Sequence, residues 1–204
     1  MQDKPLFGVR VALLATNGYD LAEMKAAFDA LQNTGAEVHV VSLQLGRIQS
    51  WEAQGWSDTH RVDVCLDDVN PEDYDALVLP GGPLHTDRLR MDPRAIVFVE
   101  SFLFRRKPIA AIGHAPQILI ETGFLVDKKM TSYRSIRTDL INAGVDWADR
   151  AVVVDDHLVT SRGREDLPVF IETMLEIFQS VRPTRQTPDP RDEEISAEFY
   201  PSWH

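Results

Sequence analysis

Lys107-Pro-Ile-Ala-Ala-Ile-Gly-His-Ala-Pro-Gln-Ile-Leu-Ile-Glu121 is the most informative segment of the chain. Its apolar run Ile109–Ile112 predicts a buried strand, and Ala115–Thr122 predicts a helix. Between them, Gly113 and His114 form a sharp strand-to-helix corner. In many α/β hydrolytic enzymes this kind of corner presents the nucleophile, but the glycine here has no side chain. The surroundings therefore predict an active-site corner whose central reactive atom is missing.

Strand and helix patterns alternate on both sides of this segment. The other predicted strands are Val9–Ala15, Val38–Leu43, Ala76–Leu79, and a hairpin pair formed by Ala151–Val154 and Leu158–Thr160. The other predicted helices are Asp20–Asn33, Pro93–Phe104 and Leu167–Phe178. This alternation predicts an α/β fold, with a mostly parallel sheet and helices on both faces.

Length and composition favour a single domain. The 204 residues are 44% hydrophobic, which is enough for one core, and we assign residues 1–182 to it. Residues 183–204 are polar and predict an extended or disordered tail, whose aromatic end could dock on its own or a neighbouring subunit. The segment Gly46–Arg61 holds two tryptophans and predicts either a β-hairpin excursion or a contact surface.

Charge and cysteine content narrow the classes of partner and compartment. The net charge of −11 argues against nucleic acid and against an anionic membrane surface as partners. No apolar run is long enough for a transmembrane helix. Cys65 is the only cysteine, so no intrachain disulfide can form, and we expect a cytoplasmic protein. No His/Cys/Asp cluster has metal-ligand spacing, and we expect neither a metal nor another cofactor.

Three loops leave predicted strands at the edge of the sheet where ligands bind: 16–20, 80–87 and 113–116. Gly81 and Gly82 let the backbone approach a ligand, and their N–H groups could hold a developing oxyanion. Pro-Gly-Gly is equally typical of a plain turn. At the corner, the free N–H groups of the helix start near Ala115 would favour an anion.

Two side chains in these loops are candidates for acid–base chemistry. Asp20 could be an acid or base aimed at the corner, or it could cap the helix that begins beside it, and the two roles can coexist. His114 could act as a base, or it could be a hydrogen-bonded structural histidine. Cys65 lies in a strand-like run away from the three loops and is expected to be a small buried residue.

Several motifs in order resemble the ThiJ/PfpI family, which belongs to the class I glutamine amidotransferase-like superfamily. They are Asp73-Tyr-Asp-Ala-Leu-Val-Leu-Pro-Gly-Gly82, Lys107-Pro-Ile-Ala-Ala-Ile-Gly-His-Ala-Pro-Gln117, Thr131-Ser-Tyr133, Thr138-Asp-Leu-Ile-Asn-Ala-Gly144, Val152-Val-Val-Asp-Asp156 and Leu158-Val-Thr-Ser-Arg162. The resemblance covers about residues 8–180. It implies a flavodoxin-like three-layer sandwich, and a cysteine-dependent hydrolase or a cofactor-free glyoxalase that assembles as a homodimer or a hexamer.

The chain departs from the family pattern at three positions. The family corner reads Ala-Ile-Cys-His-Gly-Pro, so the nucleophile maps to Gly113 and is absent. The resemblance places a family glutamate at Asp20. With one inserted residue, it places at Asp87 a second glutamate, which partners the histidine of a neighbouring subunit. Each aspartate is one methylene shorter than glutamate, which withdraws its carboxylate by about 1.5 Å.

We therefore expect a catalytically degenerate family member. It would act as a stress-related structural module, or bind a small anionic or carbonyl ligand through Gly81, Gly82 and Ala115. The alternative is a hydrolase or lyase of the protease, deglycase or glyoxalase type, in which Asp20 and His114 activate a water.

Overall fold

The computed structural model describes residues 4–181. Its strands are β1 (Arg10–Leu14), β2 (Glu37–Ser42), β3 (Gly46–Glu52), β4 (Gly55–Val62), β5 (Val64–Cys65), β6 (Ala76–Leu79), β7 (Ile109–Ile112), β8 (Lys129–Met130), β9 (Asp146–Trp147), β10 (Val152–Asp155) and β11 (Leu158–Ser161). Its α-helices are α1 (Leu21–Asn33), α2 (Pro83–Arg90), α3 (Pro93–Phe104), α4 (Pro116–Ile120), α5 (Arg137–Asn142) and α6 (Leu167–Gln179).

A seven-stranded sheet forms the centre of the fold, in the order β10-β11-β7-β6-β1-β2-β5. The pairings are parallel except for that of β10 with β11, which is the predicted hairpin. This arrangement confirms the predicted flavodoxin-like α/β fold. Because the strands are parallel, their carboxyl ends meet at one edge, and the loops predicted to carry function leave from that edge.

Both faces of the sheet are covered, which explains the uninterrupted apolar runs. Within β1, Val11 and Leu13 belong to the core that packs against α1 and α6, whereas Ala12 and Leu14 belong to the core beneath α3 and α4. Successive side chains of a strand point to opposite faces, so every residue of a central strand must be apolar. No helix within residues 4–181 is long and apolar enough to cross a membrane.

Two segments differ from, or refine, the predictions. Residues 83–90, expected to belong mostly to a loop, form α2, in which Pro83 takes an early position that tolerates proline. The polar composition of α2 hides its periodicity. Residues 46–61 are confirmed as part of the hairpin β3–β4, where Trp51 and Trp56 pair edge to face. The predicted tail, 183–204, lies outside the described residues.

Candidate functional site

The strand-to-helix corner takes the strained backbone conformation that the sequence predicts. Gly113 follows β7 directly and has φ +66°, in the left-handed region that favours glycine. Its N–H donates to the carbonyl of Ser161, and its carbonyl accepts from the N–H of Tyr133. The corner is thus held on both sides by backbone hydrogen bonds.

The carboxyl group that faces this corner belongs to Glu23. A Cβ atom built on Gly113 would lie 3.0 Å from each of the two carboxyl oxygens of Glu23. The Glu23 side chain is buried, and its Oε2 accepts a 2.9 Å hydrogen bond from the N–H of Gly81. Any side chain at position 113 would therefore contact the Glu23 carboxyl group.

Asp20 does not take the role expected of it at the corner. Its Oδ1 accepts from the N–H of Glu23 at 3.1 Å, which confirms that it caps α1. Its Oδ2 accepts from Nε of Arg164 at 2.6 Å. Both carboxylate oxygens are thus engaged, and the residue aimed at the corner is the glutamate three positions later, whose side chain has full length.

The sequence carried a signal for Glu23 that the prediction missed. The buried stripe of α1 includes Met24, Ala27 and Leu31, and Glu23 lies four residues before Ala27. A carboxyl group in the apolar stripe of a helix is costly to bury, so its presence indicates a specific role. In the capping-box pattern such a glutamate accepts a hydrogen bond from the N–H of the N-cap residue. Here the N–H of Asp20 donates to the carbonyl of Gly81 instead.

Burial changes the protonation of Glu23. Desolvation, assisted by the negative charges of Asp20 and Glu52, raises the pKa of Glu23 to about 8, against the opposing effects of the Gly81 N–H and Arg164. At neutral pH the folded protein therefore keeps this carboxyl group mostly protonated. Because Oε2 accepts the Gly81 hydrogen bond, Oε1 is the favoured site for the proton, and Oε1 has no hydrogen-bond partner among residues 4–181.

This shift predicts a pH-dependent gain in stability for Glu23→Gln. The pKa is 4.5 for an ordinary glutamate and about 8 in the folded protein, so wild-type stability falls as pH rises through that window. Glutamine carries no such penalty, and its side-chain oxygen can still accept from Gly81. We expect the variant to be more stable by about 3 kcal/mol at pH 7, with little difference at pH 4.5.

Urea unfolding at the two pH values measures this effect. The matched control is Glu172→Gln, which changes an exposed glutamate on α6 and should alter the free energy of unfolding little at either pH. An equal gain for Glu23→Gln at both pH values would show that the effect does not arise from the protonation of Glu23.

His114 is half-buried, and its ring is fixed by two neighbours. Its Nε2 lies 3.0 Å from Oγ of Ser135, and the ring stacks on Tyr133 at a centroid distance of 4.6 Å. Burial lowers its pKa, and the charge of Asp20 only partly opposes this. A neutral, anchored imidazole fits the structural reading of His114 better than a pairing with Asp20.

The backbone donors of the site are fewer than predicted. The N–H of Gly81 is used by Glu23, and the N–H of Ala115 donates to the carbonyl of Ile112. The N–H groups of Gly82 and His114 have no acceptor among residues 4–181, and both residues border the same cavity. These two amides are therefore the candidate backbone donors to a ligand at the corner.

A cavity of about 600 Å³ opens at this edge, within the usual range for small-molecule sites. Its wall also contains aromatic and charged residues that were not among the predicted site residues: Tyr133, Trp147, Arg134, Arg162, Arg164, Asp149, Glu165 and Asp166. Arg162 pairs with Asp149 and Asp166, and Arg164 pairs with Asp20 and Glu52. Each of these two arginines is thus shared between two carboxylates.

Two candidate residues lie away from the cavity wall. Asp87 is exposed on α2, and its expected role depends on a second copy of the chain, so that role stays a prediction. Cys65 is buried in the edge strand β5, and its sulfhydryl donates to the carbonyl of Leu43 at 3.5 Å. As the only cysteine of the chain, it leaves the cavity without a thiol.

The sequence profile of the DJ-1/PfpI family matches residues 9–177. The chain belongs to the DJ-1/PfpI family. It is 38% identical to Deglycase PfpI of Pyrococcus furiosus over 171 residues, which are 84% of this chain and 100% of the relative. It is 37% identical to the putative cysteine protease YraA of Bacillus subtilis, over 83% of this chain and 98% of the relative.

A solved member shares the fold at low sequence identity. The crystal structure of a ThiJ/PfpI domain protein from Brachyspira murdochii superposes with a TM-score of 0.78 at 19% identity, covering 86% of this chain and 99% of that protein. Within this family fold, the site described above combines a bare glycine corner with a buried glutamate.

Proposed function

We propose that this chain is a catalytically degenerate member of the DJ-1/PfpI family that binds a small ligand in the cavity beside Gly113. One observation carries the proposal: both carboxyl oxygens of Glu23 lie 3.0 Å from the position of a Cβ atom that Gly113 does not have. The surroundings of a nucleophile are present, while the nucleophile is not.

The proposal implies that this chain lacks the activities for which its relatives are named. The relatives include deglycases and a putative cysteine protease, and the resemblance identified from the motifs assigns the nucleophile to the corner position. Loss of a covalent nucleophile removes several orders of magnitude of rate. The retained parts are the protonated Glu23, two amides without a partner among the described residues, and a cavity of small-molecule size, which together suit binding.

The alternative, a water activated by Asp20 and His114, receives less support. Both carboxylate oxygens of Asp20 already accept hydrogen bonds, from Arg164 and from the N–H of Glu23. The ring of His114 is engaged with Ser135 and Tyr133. These contacts use both carboxylate oxygens of Asp20 and one ring nitrogen of His114, so only Nδ1 of His114 is left to take a proton from a water.

Turnover assays on the purified protein test the proposal. We expect no release of glycated adducts from model glycated thiols or amines, and no cleavage of fluorogenic peptides, above the buffer rate. The control is His114→Ala, which should give the same baseline. Wild-type turnover that disappears in His114→Ala would contradict the proposal and support the water-activating alternative.

A further inference from the structure

The hydrogen-bonding groups at the corner indicate a chemical class of ligand. We propose that the cavity binds a small monocarboxylate, whose carboxylate group lies in the hollow beside Gly113 and accepts hydrogen bonds from Glu23 Oε1 and the N–H groups of Gly82 and His114. This inference rests on the ligand-binding role proposed above and specifies its ligand.

Glu23 is the group that makes the hollow specific. Its side chain is only 4% exposed, and its orientation is fixed by the hydrogen bond from Gly81 to Oε2. Its Oε1 has no partner within residues 4–181, and the residue lines the cavity. A Cβ built on Gly113 would lie 3.0 Å from Oε1, and one on Gly163 would lie 3.5 Å from it. Two bare glycines thus leave the space in front of Oε1 open to a ligand atom.

The three groups proposed to contact the ligand are all donors. A neutral carboxyl group donates through its O–H, and the amides of Gly82 and His114 donate through N–H. A carboxylate has two oxygens with about four acceptor sites and donates nothing, so it can satisfy all three groups. A single carbonyl oxygen has only two lone pairs. Charge-assisted hydrogen bonds to a carboxylate are also stronger than those to a neutral acceptor.

The cavity wall carries both acids and arginines. Arg164 pairs with Asp20, the N-cap of α1, and with Glu52. Arg162 is shared in the same way by Asp149 and Asp166. Arg134 lines the cavity and has no ion pair within the described part of the chain. It therefore offers a positive charge that a bound carboxylate would not have to share.

Aromatic rings favour a flat, apolar ligand body. Tyr133 borders the cavity with its side chain 50% exposed while it stacks on His114, and Trp147 borders it as well. Exposed aromatic faces gain by covering an apolar ring. Phenylacetate, an arylalkyl monocarboxylate of modest size, is therefore a suitable probe, and phenylacetamide is its neutral isostere.

Protonation gives the proposal a distinctive pH dependence. Asp20 and Glu52 face Glu23 and, together with burial, raise its pKa. Arg164 and the N–H of Gly81 lower it, and the resulting pKa is about 8. Phenylacetate is an anion throughout pH 6 to 9, whereas Glu23 loses its proton above about pH 8. Two facing carboxylates repel each other, so the affinity should fall by up to about tenfold per pH unit above that value.

Isothermal titration calorimetry on the full chain tests this. At pH 6.5 we expect phenylacetate to bind at least about tenfold more tightly than phenylacetamide, because charge-assisted hydrogen bonds are stronger than neutral ones. Between pH 7 and pH 9.5 its affinity should fall by about tenfold or more. Circular dichroism at each pH confirms that the protein remains folded.

The variant Glu23→Gln separates the proposed mechanism from general electrostatics. Its side-chain amide can still donate toward the hollow but cannot ionise, so phenylacetate binding should persist at pH 9.5 and lose its steep pH dependence. Gly113→Ala, which fills the hollow with a methyl group 3.0 Å from both Glu23 oxygens, should weaken binding of phenylacetate at every pH.

Three outcomes would overturn the inference. Equal or tighter binding of phenylacetamide would contradict the proposal that the ligand is a carboxylate, while the proposed ligand-binding role would still hold. A pH dependence that remains in Glu23→Gln would remove Glu23 from recognition. Failure of both probes to bind would overturn the proposal that the ligand is a monocarboxylate. The proposed loss of catalysis is tested separately by the turnover assays.

Discussion

Gly113→Cys is expected to show thiol-dependent turnover about a thousandfold above the rate of the wild-type protein. The corner already has the left-handed backbone of a nucleophile elbow, with φ +66°. The new side chain would contact the Glu23 carboxyl group, which is protonated at neutral pH and can donate a hydrogen bond to a thiolate. This hydrogen bond should stabilise the thiolate and increase its reactivity.

The substitution also has a cost in stability. The left-handed conformation costs a non-glycine residue about 1–2 kcal/mol, and the carboxyl group of Glu23 must shift slightly to relieve the 3.0 Å contacts. Gly113→Ala shares the same Cβ atom and the same strain without the sulfur, so it is the matched control. Both variants should unfold at lower urea concentration than wild type, by similar amounts.

Two measurements check the gain. The first is the rate of alkylation by iodoacetamide at pH 6, where a stabilised thiolate reacts faster than an ordinary thiol. Cys65 is present and buried in every variant, so it contributes a constant background. The second is turnover in the deglycase and peptidase assays. An ordinary alkylation rate together with no turnover would show that the corner no longer supports a nucleophile.

Gly82→Ala is expected to destabilise the fold by about 4 kcal/mol or more, within the range of the most damaging single substitutions. Gly82 has φ +113°, and its Cβ would lie 2.6 Å from the carbonyl oxygen of Gly18 and 2.7 Å from the amide nitrogen of Asp20. These are backbone atoms, so no side chain can rotate away. Relief requires separation of the loop after β6 from the start of α1, which would disturb the Asp20–Gly81 hydrogen bond.

Gly55→Ala provides a control with nearly the same backbone. Gly55 has φ +111°, and no heavy atom lies within 4 Å of its Cβ position. Its substitution should cost only the conformational strain, about 1–2 kcal/mol. The difference between the two variants in the free energy of unfolding, measured in urea, gives the cost of the close contacts at Gly82 alone. A similar decrease in the free energy of unfolding for both variants would contradict the tight contact between the two loops.

The arrangement of the sheet could be predicted because its physical cause is local to each strand. The strands β1, β6 and β7 are buried on both faces, so each is an uninterrupted apolar run such as Ile109–Ile112. Helix α2 escaped prediction because its sequence is polar, and because its burial of His85 and Leu89 depends on neighbouring elements. No periodic pattern in eight residues of this composition reveals that packing.

The candidate site was predictable to the extent that it depends on strand ends. Parallel strands bring the loops that follow them to one edge, so Gly82, Gly113 and His114 were expected together, and the glycine corner was evident from its neighbours. The choice between Asp20 and Glu23 was different. Both follow the first strand, and which carboxyl group reaches the corner depends on the direction of a side chain.

Order along the chain was thus enough to establish the strand sequence, the bare corner and the absence of a thiol other than Cys65. Only the folded structure shows that Asp20 caps α1 while Glu23 turns inward to the Gly81 amide. The raised pKa of Glu23 has the same origin, because desolvation by surrounding elements is its largest cause. Burial is a property of the assembled chain, whereas apolar runs and missing side chains are properties of the residues themselves.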